Sequence, residues 1–246
     1  MFINYLHFDK IDSTRIYVSK NFKNFDNDKI TIVSAFEQTN GRARYNKKWV
    51  SPKGNLYITT FFKIPNSSKK NFSNIPQIAA LSVVKTLKSF GIDSKIKWPN
   101  DIFINGKKMS GLMGEMVSLE KNEMAMMLSC GLNVNMSKED VIQIDQMATS
   151  MKIEKLLNFD VREVLQKFID VFVHDLKSFF KLGFPPFYDE INKSILGKNM
   201  IVMFHDRDGK NKIKGDFLSF NKDGSITLLF EDGEKKTFFS GEMTLF

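Results

Sequence analysis

The 246-residue sequence predicts an α/β domain followed by a small all-β domain. Residues 30–36 and 56–62 are apolar runs of strand length, rich in β-branched and aromatic residues, on either side of a polar loop. Residues 161–182 place Val161, Val164, Leu165, Phe168, Ile169, Phe172, Val173, Leu176, Phe179 and Phe180 at helical spacing. From Gly197 the texture changes to short β-rich runs separated by Asp-Gly turns, the pattern of a small barrel of roughly 50 residues. The expected division is therefore 1–196 and 197–246.

In chain order, Asn4 to Phe8 reads as a strand, and Asp12-Ser13-Thr14 as a helix start, because a hydroxyl there caps free backbone N–H groups. Ile30–Phe36 and Leu56–Phe62 are strands flanking the basic loop 37–54. A helix is expected over about 74–90, with Pro76 in its first turn and Gly91 ending it. Strands at 94–98 and 101–104 flank Pro99-Asn100. Asn105-Gly106 signals a hairpin to a strand starting near Lys107, since both residues accept positive φ. Met124, Met126, Leu128 and Cys130 alternate as in a half-buried strand. Asp160 with Glu163 resembles a capping box before the 161–182 helix, and Gly183 with Pro185-Pro186 ends it. Strands at 200–204, 213–220, 226–230 and 236–239 alternate with turns at Asp208-Gly209, Asp223-Gly224 and Asp232-Gly233.

Hydrophobic residues at 42% and charged residues at 26% are ordinary for a globular protein. The net charge of +8 favours anionic partners (nucleic acid, an acidic protein surface, phosphorylated ligands) without choosing among them. One cysteine, Cys130, excludes an intrachain disulfide, and packing explains it better than reactivity. His7, His174 and His205 are scattered, which argues against a zinc site. No run approaches the ~20 apolar residues of a membrane span and no leader is evident, so a cytoplasmic location is expected.

Two segments stand out. Gln38 to Trp49 gathers Arg42, Arg44, Lys47 and Lys48, with Gly41 allowing a tight turn beside a ligand. Arginine forks bind phosphate or carboxylate in pairs. Read for charge alone, the segment is first a solvated basic loop, with a nucleic-acid contact as the alternative. The second is Lys97-Trp98-Pro99-Asn100-Asp101, followed by Lys108 and Gly111-Leu112-Met113-Gly114-Glu115. The hairpin would bring Lys108 to the Asn100-Asp101 corner, although Trp98 and Pro99 also suit core and turn.

Together these motifs resemble the catalytic domain of biotin–protein ligases. The basic loop is similar to the family's Gly-Arg-Gly-Arg loop. The match runs on through Ser51 to Tyr57, Lys97 to Asp101, Lys108 to Glu115 and Gly131-Leu132-Asn133-Val134-Asn135. Asp12-Ser13-Thr14 resembles the family's early Ser-Thr-Asn element and Ser240-Gly241-Glu242 its close. Arg15 stands where the family usually has Asn, and Ala43 at the second glycine of the loop. The resemblance implies a mixed sheet flanked by helices, class II synthetase-like, then an SH3-like barrel.

It also implies a two-stage reaction: biotin and ATP form biotinoyl-AMP, and a lysine of a biotin carboxyl carrier protein then takes the biotinoyl group. By matched position, Ser13, Thr14, Arg15, Gln38, Arg42, Ala43, Arg44, Lys108 and Gly111 would meet biotin. Arg44, Trp49, Asn100, Lys108 and Asn133 would meet ATP. Lys108, Arg42 and Arg44 would carry the chemistry, with Mg²⁺ and Asp101 either holding that ion or orienting Lys108. The loop 41–48 is expected to order on ligand binding. A lipoate ligase or octanoyltransferase shares this implied fold, and a non-catalytic nucleic-acid binder is the rival from another class. With the Ser-Thr element at residue 13, no helix-turn-helix precedes it, so specific DNA binding is not expected; homodimer formation stays open.

Overall fold

A computed structural model describes residues 2–44, 47–206 and 212–245. Its larger sheet has seven strands: β1 (Phe2–Phe8), β2 (Lys29–Ala35), β3 (Leu56–Ile64), β4 (Lys95–Lys97), β5 (Asp101–Ile104), β6 (Lys107–Ser118) and β7 (Met124–Leu132). The order is β1-β2-β3-β7-β6-β5-β4. β1 and β2 are parallel and the other neighbours antiparallel, so the sheet is mixed as expected. A parallel pair needs a crossover, and α1 (Thr14–Asn21) supplies it. Ser13 starts α1 as foreseen: its backbone is extended and its hydroxyl accepts the Ile16 N–H at 3.5 Å.

α2 (Ile75–Ser89) and α5 (Val161–Leu182) pack on each other and cover one face of the sheet. α1 covers part of the other, over Val33, Phe61, Ala125 and Met127. This corrects the half-buried reading of β7, because Ala125 and Met127 are as buried as Met126 and Leu128. Asp160 caps α5 through the Arg162 N–H at 2.8 Å, not through Glu163, so the expected capping box is absent there. A true box forms at Ser137–Asp140, before α3 (Lys138–Ile142). α4 (Met151–Lys155) and α6 (Tyr188–Ser194) complete the helices. Asn105 and Gly106 take φ of 49° and 75°, joining β5 to β6 as predicted.

The second sheet is antiparallel, in the order β11-β10-β9-β8-β12. It comprises β8 (Ile201–His205), β9 (Lys212–Phe220), β10 (Ile226–Leu229), β11 (Lys235–Phe238) and β12 (Glu242–Leu245). This arrangement is consistent with the SH3-like expectation, with β12 added. Gly224 and Gly233 turn at positive φ, and the Asp208-Gly209 turn lies outside the described residues. The second sheet docks on the first unit through backbone carbonyls. Gln77 Nε2 and Trp98 Nε1 donate to the Gly224 carbonyl at 2.7 and 3.1 Å, and Asn74 Nδ2 donates to that of Asp223 at 2.9 Å. Trp98 is fully buried beside Phe204, so it serves as core.

Candidate active site

The start of α1, the loop after β2 and the first half of β6 converge over β7 on a cleft of about 520 Å³. Ser13, Thr14, Arg15, Gln38, Arg42, Ala43, Arg44, Lys108 and Gly111 all line it, although the sequence separates them by up to about a hundred residues. Its lining also includes Trp49, Tyr57, Asp101, Ser129 and Cys130.

One end presents hydroxyl and amide groups, with Arg15 and its ion-pair partner Glu115 beside them. Gln38 Oε1 accepts from the Thr14 N–H at 2.9 Å and its hydroxyl at 3.2 Å, while Gln38 Nε2 donates to Ser51 Oγ at 3.1 Å. The Thr14, Thr59 and Ser129 hydroxyls form a chain at 2.9 and 3.0 Å. Each is a residue of a strand or helix start, so the donors are fixed in place before any ligand arrives. Gly41 permits the loop to close here, since a Cβ would meet Ser51 Oγ and the Trp49 carbonyl.

The other end is charged. Lys108 Nζ lies 2.7 Å from Asp101 Oδ2, with Lys97 Nζ 3.9 Å from the same oxygen. Lys97 also pairs with Glu242 of β12 at 3.8 Å, and Arg44 pairs with the same carboxylate at 3.7 Å. Burial holds the Lys97 ammonium below its usual range, opposed by Asp101 and Glu242 and reinforced by Lys108 and Arg44. Burial also pushes the Cys130 thiol up to about 12, so it stays protonated and unreactive. Among the described residues no group of three His, Cys, Asp or Glu gathers as a metal site. Among the described residues Asp101 is the one carboxylate lining the cleft, and it is already paired.

Trp49 separates this cleft from a smaller one of about 330 Å³, lined by Lys48, Val50, Lys108, Asn133, Ile144, Gln146 and Ala148. Its indole lies where a Cβ on Gly131 would come within 2.6 Å, and the Lys108 ammonium stands 5.5 Å from the ring. Trp49 Nε1 and Asn133 Oδ1 are buried without hydrogen-bond partners among the described residues. Asn100 is the exception among the predicted residues. It sits behind β6, donating to the Leu112 carbonyl at 2.9 Å, and lines neither cleft. Its Oδ1 is buried without a hydrogen-bond partner among the described residues.

Sequence reading missed Lys97 as a member of this charge cluster, and missed Asn55. Asn55 Oδ1 accepts three consecutive N–H groups, of Val134, Asn135 and Met136, at 2.8, 3.0 and 3.2 Å. The signal was present in both cases, since each lies inside a matched motif. Tyr45 and Asn46 of the 41–48 loop lie outside the described residues; the remainder is a hairpin in which Ala43 N donates to the Lys47 carbonyl at 2.8 Å and Trp49 N to that of Gly41 at 3.0 Å.

The model of the biotin/lipoate A/B protein ligase family matches residues 7–135, just over half of the chain. The chain belongs to that family. The bifunctional ligase/repressor BirA of Bacillus subtilis is 29% identical over 210 residues, covering 85% of this chain and 64% of the relative. The chain thus spans under two thirds of that relative's length. BirA of Escherichia coli is 24% identical, covering 96% of this chain and 72% of the relative. The Aquifex aeolicus biotin protein ligase, solved in complex with biotin and ATP, superposes with a TM-score of 0.80 at 28% identity, covering 100% of this chain and 98% of that one.

Proposed function

We propose that this chain is an ATP-dependent biotin–protein ligase that makes biotinoyl-5′-AMP and transfers the biotinoyl group to a carrier lysine. The observation that carries the reading is the convergence of Arg42, Arg44 and Lys108 on one cleft that hydroxyl and amide groups of Ser13, Thr14, Gln38 and Ser129 also line. The first stage brings a carboxylate oxygen to the α-phosphorus of ATP while the bond to pyrophosphate breaks. Two anions must meet, so fixed positive charge and alignment are what the protein has to supply.

In this reading Ser13, Thr14, Gln38 and Ser129 bind the ureido ring, and Lys108, held by Asp101, sits between carboxylate and α-phosphate. Arg42 and Arg44 take the phosphates, Trp49 covers the base and Asn133 faces the nucleotide. Mg²⁺, which neutralises phosphate charge in such chemistry, would ride mainly on the triphosphate, as its preference for phosphate and water allows. Asp101 alone cannot build a protein cage for it and better suits orienting Lys108. In the second stage the carrier amine attacks the acyl carbon and AMP leaves. Residues 1–196 would carry this site and 197–246 would support it through Glu242. A cytoplasmic location suits the lone thiol.

The lipoyl alternative is disfavoured by the hydroxyl and amide groups at one end of the cleft, to which a dithiolane offers no hydrogen-bonding partner and a ureido ring offers donors and an acceptor. The test is intact-mass analysis of a biotin carrier domain incubated with this chain, MgATP and either biotin or lipoate. One added biotinoyl group on the carrier is expected; a lipoyl adduct with none from biotin would refute the proposal.

A further inference from the structure

We propose that a cationic groove between α1 and the basic loop docks carboxylates of the carrier protein beside its acceptor lysine, with Lys20 as a contact outside the reaction cleft. The inference deepens the ligase reading above and rests on it.

The groove, of about 950 Å³, is lined by Arg15, Lys20, Arg42 and Arg44 and, among the described residues, by no carboxylate. Arg15 pairs with Glu115 and Arg44 with Glu242, outside that lining. Lys20 and Arg42 have no ion pair among the described residues. Four cations held around one space repel one another, in a chain that already carries +8. An anionic occupant relieves that repulsion, so the groove favours an acidic partner.

Its position says which partner. Arg15, Arg42, Ala43, Arg44 and Met113 line both this groove and the cleft that holds Lys108, so the two adjoin. Ser19 and Lys20 line the groove alone and are exposed on α1. An occupant here is held next to the acyl group that the second stage consumes. In that stage a carrier lysine nitrogen bonds to the acyl carbon, the bond from that carbon to the AMP oxygen breaks, and the amine gives up a proton. The carrier is the substrate that must arrive at this mouth, and carboxylates flanking its lysine meet Lys20 there. A nucleic acid shares the charge, but nothing ties it to the adjoining cleft. Lys20 also suits the negative end of α1. Ser19 is therefore the second probe, since a Glu there adds the opposite charge to the groove and leaves that lysine in place.

Transfer from added biotinoyl-AMP by the full chain tests this at low ionic strength, where exposed charges are least screened. The acceptors are a recombinant apo biotin carboxyl carrier domain rich in Asp and Glu, and Nα-acetyl-lysine amide, an amine with no acidic surface. Lys20→Glu is expected to raise KM for the carrier roughly three- to twentyfold and Ser19→Glu roughly two- to fivefold, the range of exposed charge pairs. The kcat at saturating carrier, transfer to the small amine and biotin-dependent pyrophosphate exchange should keep their native values. Lys20→Arg should keep the native KM, and salt at about 0.5 M should bring native and variant KM values together. An unchanged carrier KM in both folded Glu variants would overturn the inference, as would a loss shared equally by the small amine. Single-stranded DNA bound by the native chain and released by Lys20→Glu, with carrier KM unchanged, would assign the groove to nucleic acid instead. Failure of the unmodified chain to biotinylate either acceptor would overturn the functional reading on which the inference rests.

Discussion

Lys108 and Asp101 form the closest ion pair at the charged end, and the pair works in both directions. Asp101 is nearly fully buried, so its carboxylate needs Lys108 as much as Lys108 needs an orienting partner. Lys108→Ala should reduce adenylate formation by about 10²–10³, the cost of removing one fixed charge from such a site. It should also lower stability by about 1–3 kcal/mol, because Asp101 keeps only Lys97, at 3.9 Å. Adding Asp101→Asn should restore the thermal midpoint but not the activity, and recovery of both would exclude a chemical role for Lys108. Lys97 gives a pH signature. Its folded pKa lies below the ordinary 10.5, so the unfolded chain holds this proton more tightly. Between the lowered value and 10.5, its contribution to stability therefore rises with pH. Urea midpoints across that alkaline range should show the rise in the native chain and a smaller one in Lys97→Met; equal slopes would contradict it. At this scale the sequence was informative where a turn tied two residues together. Asn105-Gly106 brought Lys108 to Asp101, whereas nothing local shows that Asn100 faces the back of β6.

The elements that hold the site differ in how much they reveal of themselves. α5 and β3 are long enough for periodicity to be read, and Ser13 signals α1 by its capping chemistry. α3, α4 and α6 span five to seven residues, too short to display a helical stripe, and their start signals are a Ser137–Asp140 box, a single Ser and none. β7 misled for another reason: helices cover both faces of that central strand, which removes the alternation a half-exposed strand would show. The turn after β7 depends on one distant side chain. Asn55→Ala orphans three buried or part-buried N–H groups that hold residues 134–136 beside Asn133. A loss of about 2–4 kcal/mol is expected, with weaker nucleotide binding; a urea midpoint within error of the native chain would show that the turn holds itself.

The two sheets share one core. Trp98, a residue of the most recognisable pentapeptide, is buried between them rather than facing a ligand. Strand count in the second unit was nearly complete from its Asp-Gly rhythm, and β12 escaped because Glu242–Leu245 is four residues with only one buried. That the two units would dock through Asn74, Gln77 and Trp98 onto a turn at residue 224 was not legible, since such pairing joins segments more than a hundred residues apart. Gly224 permits it: φ is +85° and a Cβ would meet Asn74 Nδ2 and Gln77. Gly224→Ala should therefore cost about 2–4 kcal/mol from strain and broken hydrogen bonds, and an unchanged thermal midpoint would show that the docking contributes little. The charge cluster crosses the same boundary, through Glu242 to Lys97 and Arg44, so the site belongs to the whole molecule.

The central claim is that cations from separate segments meet in one cleft to join a carboxylate to an α-phosphate. Exchange of labelled pyrophosphate into ATP measures that step without any carrier. It should depend on biotin and fall steeply in Lys108→Ala; exchange driven by lipoate and not by biotin, or none from a chain that binds both biotin and ATP, would contradict the account.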